Sequence, residues 1–160
     1  MNSDQVKISI IIKPTWNLVK EVQVKAEKFM REKNMSSDII DATIMCSTEL
    51  IENAVKYGAE KPDGSSIDFD LRATENMIEI VVSNGYHTEK DLQNVMEHIN
   101  KIKSSDDPAA LYVERLQELL DNPKPGVSQL GLYRISYEGG FKLDYRHENM
   151  TLTIAATRKI

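Results

Sequence analysis

Two pairs of short runs constrain this chain most. Ile67, Phe69 and Leu71 alternate with polar residues, as do Ile78, Ile80 and Val82, and only a tight turn at Glu75-Asn76 separates the two runs. A period of two puts one face of each run in a core, and so short a loop joins antiparallel neighbours. Phe141 to Tyr145 and Met150 to Ala156 repeat the arrangement around His147-Glu148-Asn149. Every direct strand-to-strand connection is therefore a hairpin, whereas adjacent parallel strands would need a crossover between them. The rest of the chain reads as a first strand and helices. The predicted fold class is α+β: a two-layer α/β sandwich with a mixed, mostly antiparallel sheet and helices on one face.

The remaining elements follow from periodicity and punctuation. Residues 6–12 are rich in β-branched side chains and read as a strand that Pro14 ends. Trp16, Val19, Val22, Ala26, Phe29 and Met30 recur at helical spacing within residues 15–33. Ser36 or Ser37 looks like an N-cap, and a second helix runs to about Tyr57, where Gly58 is placed to act as a left-handed C-cap. Lys61-Pro62-Asp63-Gly64 is a turn, and Ser83-Asn84-Gly85 is expected to break the strand before it. Residues 88–103 and 108–121 are two amphipathic helices, with apolar positions from Leu92 to Ile102 and from Leu111 to Leu120. Asn122 to Gly126 is a loop, and Leu130 to Tyr137 a short helix closed by Gly139-Gly140. The order is β-α-α-β-β-α-α-α-β-β, without internal repeats, and a single domain over residues 1–160 is the simplest organisation.

Composition limits the function classes. The net charge is −5, which argues against a nucleic-acid surface. No apolar stretch approaches the roughly 20 residues of a membrane span, and no charged segment followed by an apolar one marks a signal peptide. The one cysteine, Cys46, excludes an intramolecular disulfide and fits a reducing compartment, so the expected localisation is cytoplasmic. Cys46 reads as a small buried side chain, and His87, His98 and His147 lack metal-ligand spacing. Trp16 reads as a core or interface anchor.

The segment from Glu49 to Gly58, ELIENAVKYG, carries the chemistry. At 100° per residue, Glu49, Glu52, Asn53 and Lys56 share one arc of about 100°, while Ile40, Ile44, Ile51 and Val55 face the other way, toward the sheet. Periodicity alone is also satisfied by an amphipathic helix with a solvated polar face. The spacing E-x-x-x-N-A-x-K-Y-G resembles the N-box of the GHKL (histidine-kinase-like) ATPases, whose fold is the Bergerat sandwich. The resemblance implies that Asn53 is a Mg²⁺ ligand, that Glu49 is the general base, and that Lys56 and Tyr57 lie near the nucleotide. A hard cation with oxygen ligands and a carboxylate one turn away suit those roles.

Two further motifs depart from the GHKL pattern. The family's adenine-binding D-x-G-x-G reads Ser83-Asn84-Gly85-Tyr86-His87 here. Ser83, Asn84 and Gly85 are the matching nucleotide-binding positions, with serine giving up a charge-assisted bond. The phosphate-binding G-x-G-L-G-L reads Val127-Ser128-Gln129-Leu130-Gly131-Leu132, preceded by Gly126. Gly126 and Gly131 keep phosphate-facing roles by this match, and Val127 and Gln129 replace glycines. Residues 40–157 also resemble the SiaB-type bacterial proteins, atypical members of the anti-sigma-factor serine kinase branch, through SNG, INKIK, DDPAALY and GVSQLGLYRI. In that group two helices stand where other members have a flexible ATP lid.

This resemblance implies an ATP- and Mg²⁺-binding serine/threonine protein kinase of a bacterial partner-switching system, acting on a small anti-anti-sigma-like partner that bears a Ser/Thr phosphosite. The changed glycines keep open an alternative: a non-catalytic module with the same fold and partner surface but no productive nucleotide binding. The apolar stripes of residues 92–120 fit core or lid packing, and equally a partner groove or a homodimer seam.

Overall fold

The computed structural model describes residues 5–10, 16–59, 61, 62, 64, 67–123 and 130–160. The strands are β1 (Gln5–Ile10), β2 (Gly58–Ala59), β3 (Ile67–Ala73), β4 (Met77–Tyr86), β5 (Lys142–Glu148) and β6 (Thr151–Lys159). The helices are α1 (Trp16–Glu32), α2 (Ser37–Tyr57), α3 (Glu89–Lys103), α4 (Pro108–Asp121) and α5 (Leu130–Tyr137). The sheet order is β1-β3-β4-β6-β5, with β2 pairing the end of β4.

Both expected hairpins form, and every pairing among the described residues is antiparallel. The mixed component expected from the sequence is absent there for a geometric reason. Two helices between β1 and β3 return the chain reversed. β5 does run parallel to β4, but β6 inserts between them.

Alternation builds the core. Ile78, Ile80 and Val82 of β4 are buried, with Ile80 opposite Leu71 and Ala156, and Val82 opposite Phe69 and Ile154. The helices cover this face. α2 contributes Ile40, Leu50, Ile51 and Ala54, and α3 contributes Leu92, Val95, Met96, Ile99 and Ile102. Each such large aliphatic side chain contributes about 1.5–3 kcal/mol on burial. Cys46 is fully buried in the same core, as its sequence context implied. The opposite face carries Asp68, Asp70, Arg72, Glu79 and Ser83. No helix among the described residues is long and apolar enough to cross a membrane.

Local signals place the helices. Ser36 caps α2 by accepting from the Ile39 amide, Thr88 caps α3 through Asp91, and Asp107 caps α4 through Ala110. Gly140, at φ 66°, takes the left-handed position that closes α5.

Two expectations are corrected, and two readings lose their core alternative. Gly58 is not a left-handed cap: its φ of −83° and ψ of 164° are extended, and it opens β2 opposite Tyr86. A side chain there would collide with the Ala54 carbonyl and lie 2.9 Å from Asn84 Nδ2, so close packing requires this glycine. Ser83-Asn84-Gly85 does not break β4, because β6 on one side and β3 and then β2 on the other supply pairing to Tyr86. Trp16 is 55% exposed at the start of α1 and is no core anchor. α4 buries none of its side chains, and Val113, Leu116 and Leu120 face outward. It rests on α3 and α5 through a tilted Tyr112–Tyr137 ring pair at 5.3 Å and through Lys101 to Glu114 and Glu118 at 3.4 and 3.5 Å.

Candidate functional site

The polar arc of α2 meets the first turn of α5. Glu49, Glu52, Asn53, Lys56 and Tyr57 line one cavity with Gly131 and Leu132, about 90 Å³ in volume. α2 can present this arc because its other side is pinned to the core by Leu50, Ile51 and Ala54. Asn53 makes no hydrogen bond to another described residue, so its amide oxygen is free to serve as a ligand. Lys56 is exposed at the cavity mouth.

Gly131 has an ordinary helical backbone and lies directly against Glu49. A Cβ there would sit 3.0 Å from the Glu49 Cδ and closer still to Oε2. A side chain at 131 would therefore have to displace the Glu49 carboxylate, which packs where it would sit.

Glu49 is mostly buried, with 18% of its side chain exposed, and accepts a hydrogen bond from Arg134 Nη1 at 3.1 Å. Arg134 also donates through Nε to Glu138 at 2.6 Å. Burial pushes the Glu49 carboxyl above the usual range, the Arg134 hydrogen bond pulls it back, and neighbouring Glu52 raises it again. A carboxyl tuned upward and fixed by a guanidinium is a better proton acceptor near neutral pH than a free one.

Arg134 was not singled out by sequence reasoning. Its signal was its place in LGLYRI, three residues after Gly131, one helical turn along the same short helix.

The second group of candidate residues stands apart from this cavity. Asn84 is 6% exposed on the helix-facing side of β4, packs against Gly58 at the end of α2, and donates Nδ2 to the Gly85 carbonyl at 2.6 Å. Ser83 points to the opposite face, where its hydroxyl bonds that of Thr153 at 2.8 Å. Gly85 pairs with Ala59 and Thr151. Of the three, Asn84 alone presents a polar side chain on the face of the α2 arc. Gly126, with Val127 and Gln129, lies outside the described residues.

The donor set fits part of what the family resemblance implies. Oxygens from Glu49, Glu52 and Asn53 beside a lysine suit a hard divalent cation with bound phosphate. The cavity's volume near 90 Å³ is well below the roughly 300–1,000 Å³ that whole small-molecule sites span.

No protein-family model matches the chain, and no curated protein matches it. Among solved structures, it is similar to a chain of the SiaB–SiaC complex from Pseudomonas aeruginosa, at a TM-score of 0.69 and 17% identity. The match covers 96% of this chain and 88% of that one. The two share a fold.

Proposed function

We propose that the chain is an ATP- and Mg²⁺-binding regulatory serine/threonine protein kinase of the GHKL superfamily, acting on a small protein in a partner-switching system. The observation that carries this reading is the single cavity in which Glu49, Asn53 and Lys56 meet Gly131. The shared fold with a chain of a two-protein complex supports a protein partner.

In this mechanism Mg·ATP supplies the phosphoryl group and charge neutralisation when bound. Asn53 would hold the metal through its amide oxygen, and Lys56 would meet phosphate at the cavity mouth. Asn84 lies on the nucleoside side, in place of the family's aspartate. Glu49 accepts the proton of the partner's serine or threonine hydroxyl as that oxygen bonds to the γ-phosphorus. The electrons of the broken P–O bond would leave with ADP. Positioning and electrostatics account for most of such a rate enhancement.

The small cavity and the Arg134–Glu49 ion pair favour a second reading, in which the chain binds its partner without nucleotide. Thermal unfolding with and without millimolar Mg·ATP separates the two. A ligand at 100 times its Kd adds about 2.7 kcal/mol, or roughly 5–10 °C for a chain of 160 residues. A shift that Asn53→Ala abolishes supports the kinase reading. No shift in the wild-type protein leaves the binding module.

A further inference from the structure

Glu49 forms part of the wall between two cavities. Behind it, away from Asn53, a second cavity of about 250 Å³ is lined by Gln23, Asp41, Met45, Thr48 and Arg134. A third, of about 380 Å³, shares Asp41, Met45 and Arg134 with the second and extends to Asp38 and Arg158. The two make one groove along the N-terminal half of α2. Asp38, Asp41, Met45 and Glu49 follow one another at steps of three or four residues, one stripe of the helix.

We infer that this groove receives an extended segment of the protein substrate, with its hydroxyl at Glu49 and a basic residue over Asp41 and Asp38. The inference rests on the kinase reading for the identity of the hydroxyl, and on the groove itself for the rest. Because Glu49 lines both cavities, a hydroxyl at the rim where they meet reaches the carboxylate and still faces the phosphate side.

Charge selects the occupant. The groove holds four carboxylates, Asp38, Asp41, Glu49 and Glu138, against two guanidinium groups, Arg134 and Arg158. Both cations are already engaged: Arg134 bonds Glu49 and Glu138, and Arg158 donates to the Gly139 carbonyl at 2.8 Å. Asp38 and Asp41 have no ion-pair partner among the described residues. Partly buried Met45 offers a pliable apolar floor between them and Glu49. Gln23 closes one end by donating to the Thr48 hydroxyl at 3.0 Å.

Length sets the register. Asp41 lies about 12 Å and Asp38 about 16 Å from Glu49 along the helix axis, at 1.5 Å per residue. An extended segment rises about 3.3 Å per residue. The basic residue therefore belongs about three to five positions from the serine or threonine.

The test uses fluorescent serine-centred peptides in an alanine background, with arginine three to five positions to either side or absent, and no nucleotide. Fluorescence anisotropy is expected to show at least tenfold tighter binding for an arginine peptide of one polarity. Asp41→Lys, at an exposed position, should erase that preference, and Asp38→Lys should reduce it, with circular dichroism confirming the fold. Equal affinities with and without arginine would overturn the inference, as would a preference that survives both substitutions. The Mg·ATP shift at Asn53 reports separately on the kinase reading. An arginine preference without that shift keeps the groove and removes the kinase, and the shift without the preference does the reverse.

Discussion

Gly131→Ala tests the contact on which the candidate site depends. In a helix this exchange normally stabilises by roughly 0.8–1 kcal/mol, because alanine is the better helix former. Here the added methyl would meet the Glu49 carboxyl, with Cδ 3.0 Å away and Oε2 nearer. Glu49 cannot swing aside freely, since Arg134 holds it and most of the side chain is buried. Overpacking of this kind costs about 1–3 kcal/mol. The net expectation is a loss of about 0–2 kcal/mol. Removing the carboxyl should relieve the clash, so in a Glu49→Ala background the same Gly131→Ala change should stabilise by about 0.5–1 kcal/mol. The double-mutant cycle thus returns a coupling energy of about 1–3 kcal/mol. Urea unfolding of the wild-type protein, both single variants and the double variant measures it. A stabilising Gly131→Ala in the wild-type background, or equal effects in both, would refute the packing of Gly131 against Glu49.

Two more outcomes follow from the same structure. Gly58→Ala should destabilise by about 2 kcal/mol or more, because its methyl collides with the fixed Ala54 carbonyl rather than with a side chain end; a loss under 0.5 kcal/mol by chemical denaturation would argue against the extended conformation there. His98 bonds the Tyr133 hydroxyl at 2.6 Å, and burial first, then Arg115 and Lys101, lowers its pKa from 6.5 to about 4. The fold thus favours neutral imidazole. That stability is present above pH 6.5 and is lost as pH falls through about 4, a difference of about 3 kcal/mol before solvent screening and about 1–2 after it. An NMR titration midpoint for His98 near 6.5 would contradict this.

The sequence disclosed what is decided locally. The first hairpin, the Ser36 cap and the polar arc of α2 depend on residues within a few positions of one another and appear where the pattern put them, while the second hairpin turns at Asn149-Met150, with His147 and Glu148 still paired in β5. What it concealed was decided at a distance. By composition Gly58 fits a left-handed cap or an extended close-packing position, and its pairing with Tyr86 of β4 decides for the second. Ser83-Asn84-Gly85 has the composition of a turn, yet pairing from β2, β3 and β6 keeps it extended. The Arg134–Glu49 pair joins positions 85 residues apart. The alternation of β4 also settles what spacing left open, with Asn84 facing the helices and Ser83 turned away.

The bare packing of α4 has a kinetic consequence. α4 has no fully buried side chain and touches the core only through the partly buried Leu111 and Tyr112, so its backbone bonds break while exposing little of the core. In hydrogen–deuterium exchange α4 should therefore surrender its amides as a unit, long before buried α2 or α3. Thermal fluctuation alone would then detach a fourteen-residue segment while the remainder of the molecule stays folded. Sequence change along α4 would alter how often that happens and leave the melting temperature almost untouched.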